Sequence, residues 1–111
     1  MAKLETYRQI IQKILTDYAE IPYAYGELNS KLIVSQDAKD YLLITQGWEN
    51  DVRVHACLVH LEIIDNKIWI QRDGTEDGIA NELVAAGIPK QQIVLAFHPP
   101  EIRQYTEYAV T

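Results

Sequence analysis

The sequence predicts an α+β fold, in which an N-terminal helix is followed by a four-stranded antiparallel meander, a second helix and a final strand. The N-terminal segment repeats apolar residues at helical steps, and four later runs have the length and composition of strands. A second helical pattern and a last apolar run follow these strands. Because the helices flank the strands rather than alternate with them, we expect helices packed on one face of an antiparallel sheet. The 111 residues are the size of one domain, spanning 1–111.

The first helix is predicted from an apolar stripe with polar residues between its members. The stripe contains Leu4, Tyr7, Ile11, Ile14, Leu15 and Tyr18. These positions recur every three or four residues, so they lie on one helical face. Ile21 precedes Pro22, and a residue before proline is disfavoured in the helical region. The helix is therefore expected to end near Ala19 or Glu20.

The meander is predicted from four apolar runs separated by turn residues. The runs are 31–34, 41–48, 52–64 and 68–70, and the turns between them are 36–39, 47–51 and 65–66. Asn66 supports the last turn as a tight hairpin, since asparagine tolerates positive φ.

The third strand carries a change of parity. Its apolar positions shift from one alternating set to the other, namely from Val52, Val54, Ala56 and Leu58 to Val59, Leu61 and Ile63. Because side chains alternate strictly between the faces of a strand, such a shift indicates an inserted residue. We expect a bulge or bend near Leu58.

The turn before the second helix is acidic and contains Asp73, Gly74, Thr75, Glu76, Asp77 and Gly78. Helix capping explains most of it: Thr75 is the predicted N-cap, and Glu76 and Asp77 would then face the positive end of the helix dipole. Gly74 would allow a sharp exit from the strand. Capping leaves Gly78 unexplained, because glycine weakens a helix. The alternative is a functional turn, in which Asp73, Glu76 and Asp77 bind a divalent metal through carboxylate oxygens.

The second helix is predicted from the stripe Ile79, Leu83 and Val84, with Gly87 at its C-terminal cap. The continuous apolar run 93–97 predicts the final strand, covered on both faces or at an interface. A short helix is expected over 101–108. Tyrosine is frequent at interfaces because it combines a large ring with a polar tip. We therefore predict a protein interface formed by Ile93, Leu95, Phe97, Tyr105 and Tyr108.

Net charge and the lengths of the apolar stretches limit the classes of function. The net charge is −6, and no two of the ten basic residues are adjacent, so direct binding of nucleic acid is disfavoured. No apolar stretch approaches the roughly 20 residues of a membrane helix, and the N-terminus does not resemble a signal peptide. We expect a cytoplasmic protein.

His55 and Cys57 lie two apart on one predicted strand and could form a nucleophilic pair. Ala56 and Leu58 flank the cysteine, however, which favours a packed and inert thiol. The histidine and cysteine spacings match no zinc pattern. We expect no catalytic residue, metal or cofactor.

Two long stretches carry a resemblance to a known family: GWENDVRVHACLVHLEI, followed by DNKIWIQRDGTEDGIANELVAAGIPKQQIVLAFHPP. They resemble the XisI family, controlling factors for excision of the fdxN element in cyanobacteria, and the resemblance extends over essentially the whole chain. It implies an XisI-like fold and an accessory role in excision of a DNA element by a site-specific recombinase, alongside an XisH-like protein. It supplies no catalytic residues.

The leading hypothesis is therefore a non-enzymatic controlling factor that acts through contacts with an XisH-like protein or a recombinase and associates with itself as a dimer. Two alternatives stay open. One is a metal-dependent nuclease subunit that uses Asp73, Glu76 and Asp77. The other is a DNA-binding module whose basic patch forms only on folding.

Overall fold

An N-terminal helix packs across one face of a five-stranded sheet. The structure is a computed structural model that describes residues 2–21 and 27–111. Helix α1 comprises Ala2–Ala19, so it ends where the sequence predicts. Its buried face consists of Tyr7, Ile11 and Leu15. Burial of Ile11 and Leu15 is complete, and each such side chain stabilises the fold by roughly 1.5–3 kcal/mol.

The sheet has five strands in the order of the chain. They are β1 (Glu27–Val34), β2 (Asp40–Glu49), β3 (Val52–Ile64), β4 (Lys67–Asp73) and β5 (Ile93–Leu95). Strands β1 to β4 pair antiparallel, which confirms the predicted meander. Strand β5 pairs parallel with β4, so the complete sheet is mixed. The reason is the connection: a crossover through a helix returns the chain to the end of the sheet where β4 began.

One hairpin turn is as predicted, and another is shorter than predicted. Asp65 and Asn66 form a two-residue turn with φ of 50° and 66°, as predicted for this hairpin. The turn predicted at 47–51 is shorter, because β2 and β3 stay paired up to Glu49 and Val52. Only Asn50 and Asp51 lie outside the strands, with φ of 51° and 68°.

The predicted bulge is present at Leu58. Leu43 pairs with Val59 and the next residue, Ile44, pairs with Cys57, so Leu58 is the extra residue of β3. Leu58 packs against the core, beside the buried Val59. The bulge thus turns both side chains inward and reverses the parity of the strand after it.

The second helix, α2, comprises Ile79–Ala85 and buries Ile79 and Leu83. Gly87 follows it with φ of 107° and its N–H donates to the carbonyl of Val84, which confirms the predicted C-terminal cap. A 3₁₀ helix, Lys90–Gln92, leads into β5. The last helix, α3, is only Pro100–Arg103, shorter than the predicted 101–108, and turns and bends carry the chain onward.

The core lies between the helices and the inner face of the sheet. Alternate residues of the central strands are buried there, including Tyr41, Leu43, Val59, Leu61, Ile63, Ile68 and Ile70. The residues between them point to the opposite, outer face, which is half-buried or exposed along β2 and β3. Within the described residues, no helix is long and apolar enough to cross a membrane.

Candidate functional site

Asp73 organises the acidic turn. One carboxylate oxygen accepts the backbone N–H of Thr75 at 2.9 Å and its hydroxyl at 2.5 Å. The other accepts the N–H of Ile79, the first residue of α2, at 2.8 Å. Asp73 therefore satisfies a free N–H at the helix start, which is the role predicted for Thr75. That prediction was wrong by three residues, because α2 begins at Ile79 with Gly78 as the N-cap position.

The two glycines of the turn have separate structural reasons. Gly74 donates its N–H to the carbonyl of Leu58, the bulged residue, at 2.8 Å. A Cβ at Gly74 would lie 2.9 Å from the Cδ1 atom of Leu58, so the turn and the bulge pack in direct contact. Gly78 has φ of 84°, a conformation that favours glycine. This positive φ at the N-cap position explains why residue 78 is glycine, which the predicted capping by Thr75 did not explain.

The remaining acids of the turn face solvent. Glu76 and Asp77 are exposed, whereas both oxygens of Asp73 are already engaged by N–H and O–H donors. Behind the turn, Tyr18 of α1 packs near α2, where burial and the carboxylate of Glu82 raise the pKa of its phenol to about 12. The turn thus connects the end of β4 to the start of α2, and α1 packs beside it.

A different cluster of ligand-type side chains lies on the outer face of the sheet. It consists of Asp40 on β2 with His60 and Glu62 on β3. Asp40 and Glu62 are direct cross-strand partners, and His60 lies two residues before Glu62 on the same face. The imidazole Nε2 of His60 and the Oδ1 of Asp40 are 2.9 Å apart and share a hydrogen bond. All three side chains are half-buried.

Sequence reasoning missed this cluster because Asp40 is distant in sequence and its register with β3 was unknown. The available signal was the spacing His60-x-Glu62 combined with the parity shift at Leu58. After the bulge, His60 and Glu62 face outward while Leu61 is buried. Strand alternation alone places both side chains on one face, and the bulge makes that face the outer one.

Neighbouring side chains border the cluster on β4. Gln71 donates its amide N–H to Glu62 at 3.2 Å and so orients that carboxylate. Arg72 pairs with His60 across the strands, and its Nε donates to the backbone carbonyl of Cys57 at 2.7 Å. The guanidinium is thus tied to the backbone of the bulge region.

Cys57 is half-buried on the strand that carries the cluster. Burial raises the pKa of its thiol, although Arg72 opposes that shift, and the Sγ lies 3.3 Å from the carbonyl of Val59. A raised pKa leaves little thiolate near neutral pH, which favours the inert thiol over a nucleophilic pair with the exposed His55.

The residues of the predicted interface divide into two groups. Ile93 and Leu95 are 0% and 9% exposed and belong to the core, so for these two side chains the expectation of an interface was wrong. A parallel bridge from Val94 to Ala109 also covers part of the β5 edge. Phe97 and Tyr105 are 47% and 81% exposed, whereas Tyr108 packs partly against the core.

Comparison with known proteins agrees with the architecture. The family described as XisI protein matches residues 1–110 of the chain. The crystal structure of a XisI-like protein from Anabaena variabilis ATCC 29413 is similar at a TM-score of 0.88 and 35% sequence identity, covering 97% of this chain and 99% of that chain. The crystal structure of fdxN element excision controlling factor XisI from the same strain has a TM-score of 0.81 and 35% identity, covering 98% and 99%.

No curated protein matches the chain. The family match covers nearly every residue, and both neighbouring structures share the helix and sheet arrangement over almost their whole length. These findings confirm the resemblance and the α+β fold that it implied. The chain belongs to the XisI family.

Proposed function

We propose that this protein is a non-enzymatic controlling factor for site-specific excision of a DNA element, acting in the cytoplasm through contacts with other proteins. The partners are an XisH-like protein, a site-specific recombinase, or both. The observation that carries the proposal is the match along the whole chain, with 35% identity to a structure named fdxN element excision controlling factor XisI.

The C-terminal surface, formed by Phe97, Ile102, Tyr105 and Val110, supports a role in protein contacts. These four side chains are between 43% and 81% exposed, and they lie within the last fifteen residues of the chain. Contiguous exposed apolar area is typical of protein-binding sites, and these four side chains come from one short segment of the chain. Tyr105 is the most exposed of the four, and tyrosine is enriched among the interface residues that contribute most of the binding energy.

Self-association has a separate structural basis in β1. This strand lies at the edge of the sheet, and among the described residues β2 is the only strand that pairs with it. Its end carries Ile33 and Val34, which are 42% and 37% exposed. An unpaired edge with exposed apolar residues can pair with the same strand of a second copy, which would form a dimer with two-fold symmetry.

Size-exclusion chromatography with light scattering tests both associations. The chain alone is expected to give a mass of twice 12.7 kDa, and co-expression with an XisH-like protein from the same genome should give one peak with the mass of both chains. Separate peaks after co-expression would overturn the partner proposal. A mass of one chain at micromolar concentration would overturn the dimer while leaving the partner proposal intact.

A pair of matched double variants locates the contact. Phe97→Ala with Tyr105→Ala should weaken partner binding by about tenfold or more, since interface aromatics often contribute over 1 kcal/mol each. Trp48→Ala with Val52→Ala removes exposed apolar area from the β2–β3 hairpin, where the side chains are 50% and 61% exposed, and should leave binding unchanged. Equal effects of the two double variants would contradict a contact at the C-terminal surface.

A further inference from the structure

We propose that Asp40, His60 and Glu62 form a binding site for one first-row transition-metal dication, with Zn²⁺ as the ion of choice. These side chains converge from two adjacent strands on the outer face of the sheet. The inference is independent of the excision role, because it rests on the chemistry of three side chains.

The geometry suits a small cation. One ligand atom from each residue lies within 4.8 Å of the other two. A point between them is then at most about 2.8 Å from each atom, and small rotations of the carboxylates would reach the bond lengths of roughly 2.0–2.2 Å found for zinc. The 2.9 Å separation of Nε2 and Oδ1 is shorter than the roughly 3.3–3.6 Å edge of a tetrahedron with such bonds. These two atoms would therefore move apart by about half an ångström when a metal replaces the proton that they share.

The ligand types select the class of ion. Imidazole nitrogen suits zinc and its transition-metal neighbours, whereas Mg²⁺ and Ca²⁺ prefer oxygen. Calcium also takes six to eight ligands, more than three side chains supply at one atom each. Two carboxylates balance the charge of a dication, and three protein ligands leave at least one position for water or for a partner side chain.

The strands hold the ligands in place before any ion binds. Asp40 and Glu62 are opposite each other in the ladder, and Gln71 orients Glu62 through a hydrogen bond of 3.2 Å. Such outer contacts typically change metal affinity by roughly 10–100-fold when removed. Arg72 and Lys39 are nearby positive charges that oppose a cation. The Nε of Arg72 is directed toward the backbone carbonyl of Cys57.

Isothermal titration of the tag-free chain with ZnCl₂ at pH 7.5, after dialysis against chelator, tests the site. We expect one ion per chain and at least tenfold weaker binding of Mg²⁺. His60→Gln should reduce zinc affinity by more than about tenfold, and Gln71→Ala should reduce it by about tenfold. Bound Co²⁺ should show the visible absorption of an ion with a nitrogen ligand, and this absorption should be lost in His60→Gln.

Matched controls separate this site from general attraction to surface acids and histidines. His55→Gln changes an exposed histidine of the same strand, and Glu76→Gln changes an exposed acid of the turn. Both variants should bind zinc as the unmodified chain does. Far-UV circular dichroism verifies folding of each variant, and Asp40→Asn provides a second ligand change if His60→Gln does not fold.

Three results would overturn the proposal. The first is an absence of saturable zinc binding, and the second is unchanged affinity in folded His60→Gln or Asp40→Asn. The third is an equal loss of affinity in His55→Gln or Glu76→Gln, which would assign the ion to scattered surface groups. Binding that persists in the ligand variants but disappears in Glu76→Gln would place the cation at the acidic turn instead.

Discussion

At the scale of single residues, Asp73 makes the largest set of specific contacts in the acidic turn. Its carboxylate accepts hydrogen bonds from Thr75 and Ile79, and it joins the end of β4 to the start of α2. A carboxylate at this position also faces the positive end of the helix dipole. The acidic turn therefore has a folding role that does not require a bound metal.

Replacement of Asp73 tests this role. Asp73→Ala removes three hydrogen bonds and leaves the N–H of Ile79 without its acceptor, so we expect a loss of about 1–3 kcal/mol of unfolding free energy. Urea denaturation followed by circular dichroism measures it. Asp77→Ala, which removes an exposed carboxylate of the same turn, should change stability by less than about 0.5 kcal/mol. Comparable losses in both variants would contradict the capping role.

At the scale of elements, the bulge and the glycines decide how the strands meet. The bulge at Leu58 reverses the parity of β3 and receives Gly74 of the following turn. Gly47 likewise allows a close approach of two backbones, at the point where β1 pairs with β2. Its φ is 141°, and a Cβ there would lie 1.9 Å from the carbonyl oxygen of Glu27, a distance that forces the backbone apart.

Two alanine substitutions separate steric exclusion from backbone conformation. Gly47→Ala should disrupt the pairing of β1 with β2 and cost more than about 2 kcal/mol, because the obstructing atom belongs to the backbone. Gly87→Ala places a side chain at φ of 107° but in open space, so its expected cost is only about 1 kcal/mol. Thermal or urea unfolding compares them, and equal losses would show that close approach at Gly47 contributes nothing.

At the scale of the whole molecule, the net charge is −6 and several basic side chains have partners within the fold. Lys90 pairs with Glu107 at 2.8 Å, and Lys67 donates to the carbonyl of Thr111 at 2.5 Å. Arg103 donates to the carbonyls of His98 and Ala96 and lies 5.5 Å from the ring of Trp69. These contacts secure the C-terminal segment, and the carboxylate of Glu107 offsets the charge of Lys90.

Chromatography on immobilised duplex DNA checks the consequence. The chain alone should pass through without retention at about 50 mM salt, because binding to a duplex depends on several Lys or Arg contacts with phosphates. Retention that falls steeply as the salt concentration rises would contradict this expectation and revive the DNA-binding alternative. Retention only in the presence of the XisH-like protein would instead be consistent with a controlling factor that reaches DNA through its partner.

The sequence by itself determined the periodic features. The extent of α1, the antiparallel meander, the bulge at Leu58 and the cap at Gly87 all follow from local residue spacing, because helices and strands have different side-chain periods. The family resemblance likewise depends on contiguous residues. Local pattern also indicated that the acidic turn leads into a helix, although not which residue caps it.

Only the tertiary structure decided what depends on contacts between distant segments. The parallel pairing of β5, the burial of Ile93 and Leu95, and the capping of α2 by Asp73 require the final packing of strands and helices. The meeting of Asp40 with His60 and Glu62 depends on strand register, which a single sequence does not specify. The physical reason is the same in each case: local periodicity selects the face of a residue, whereas register and packing select its neighbours.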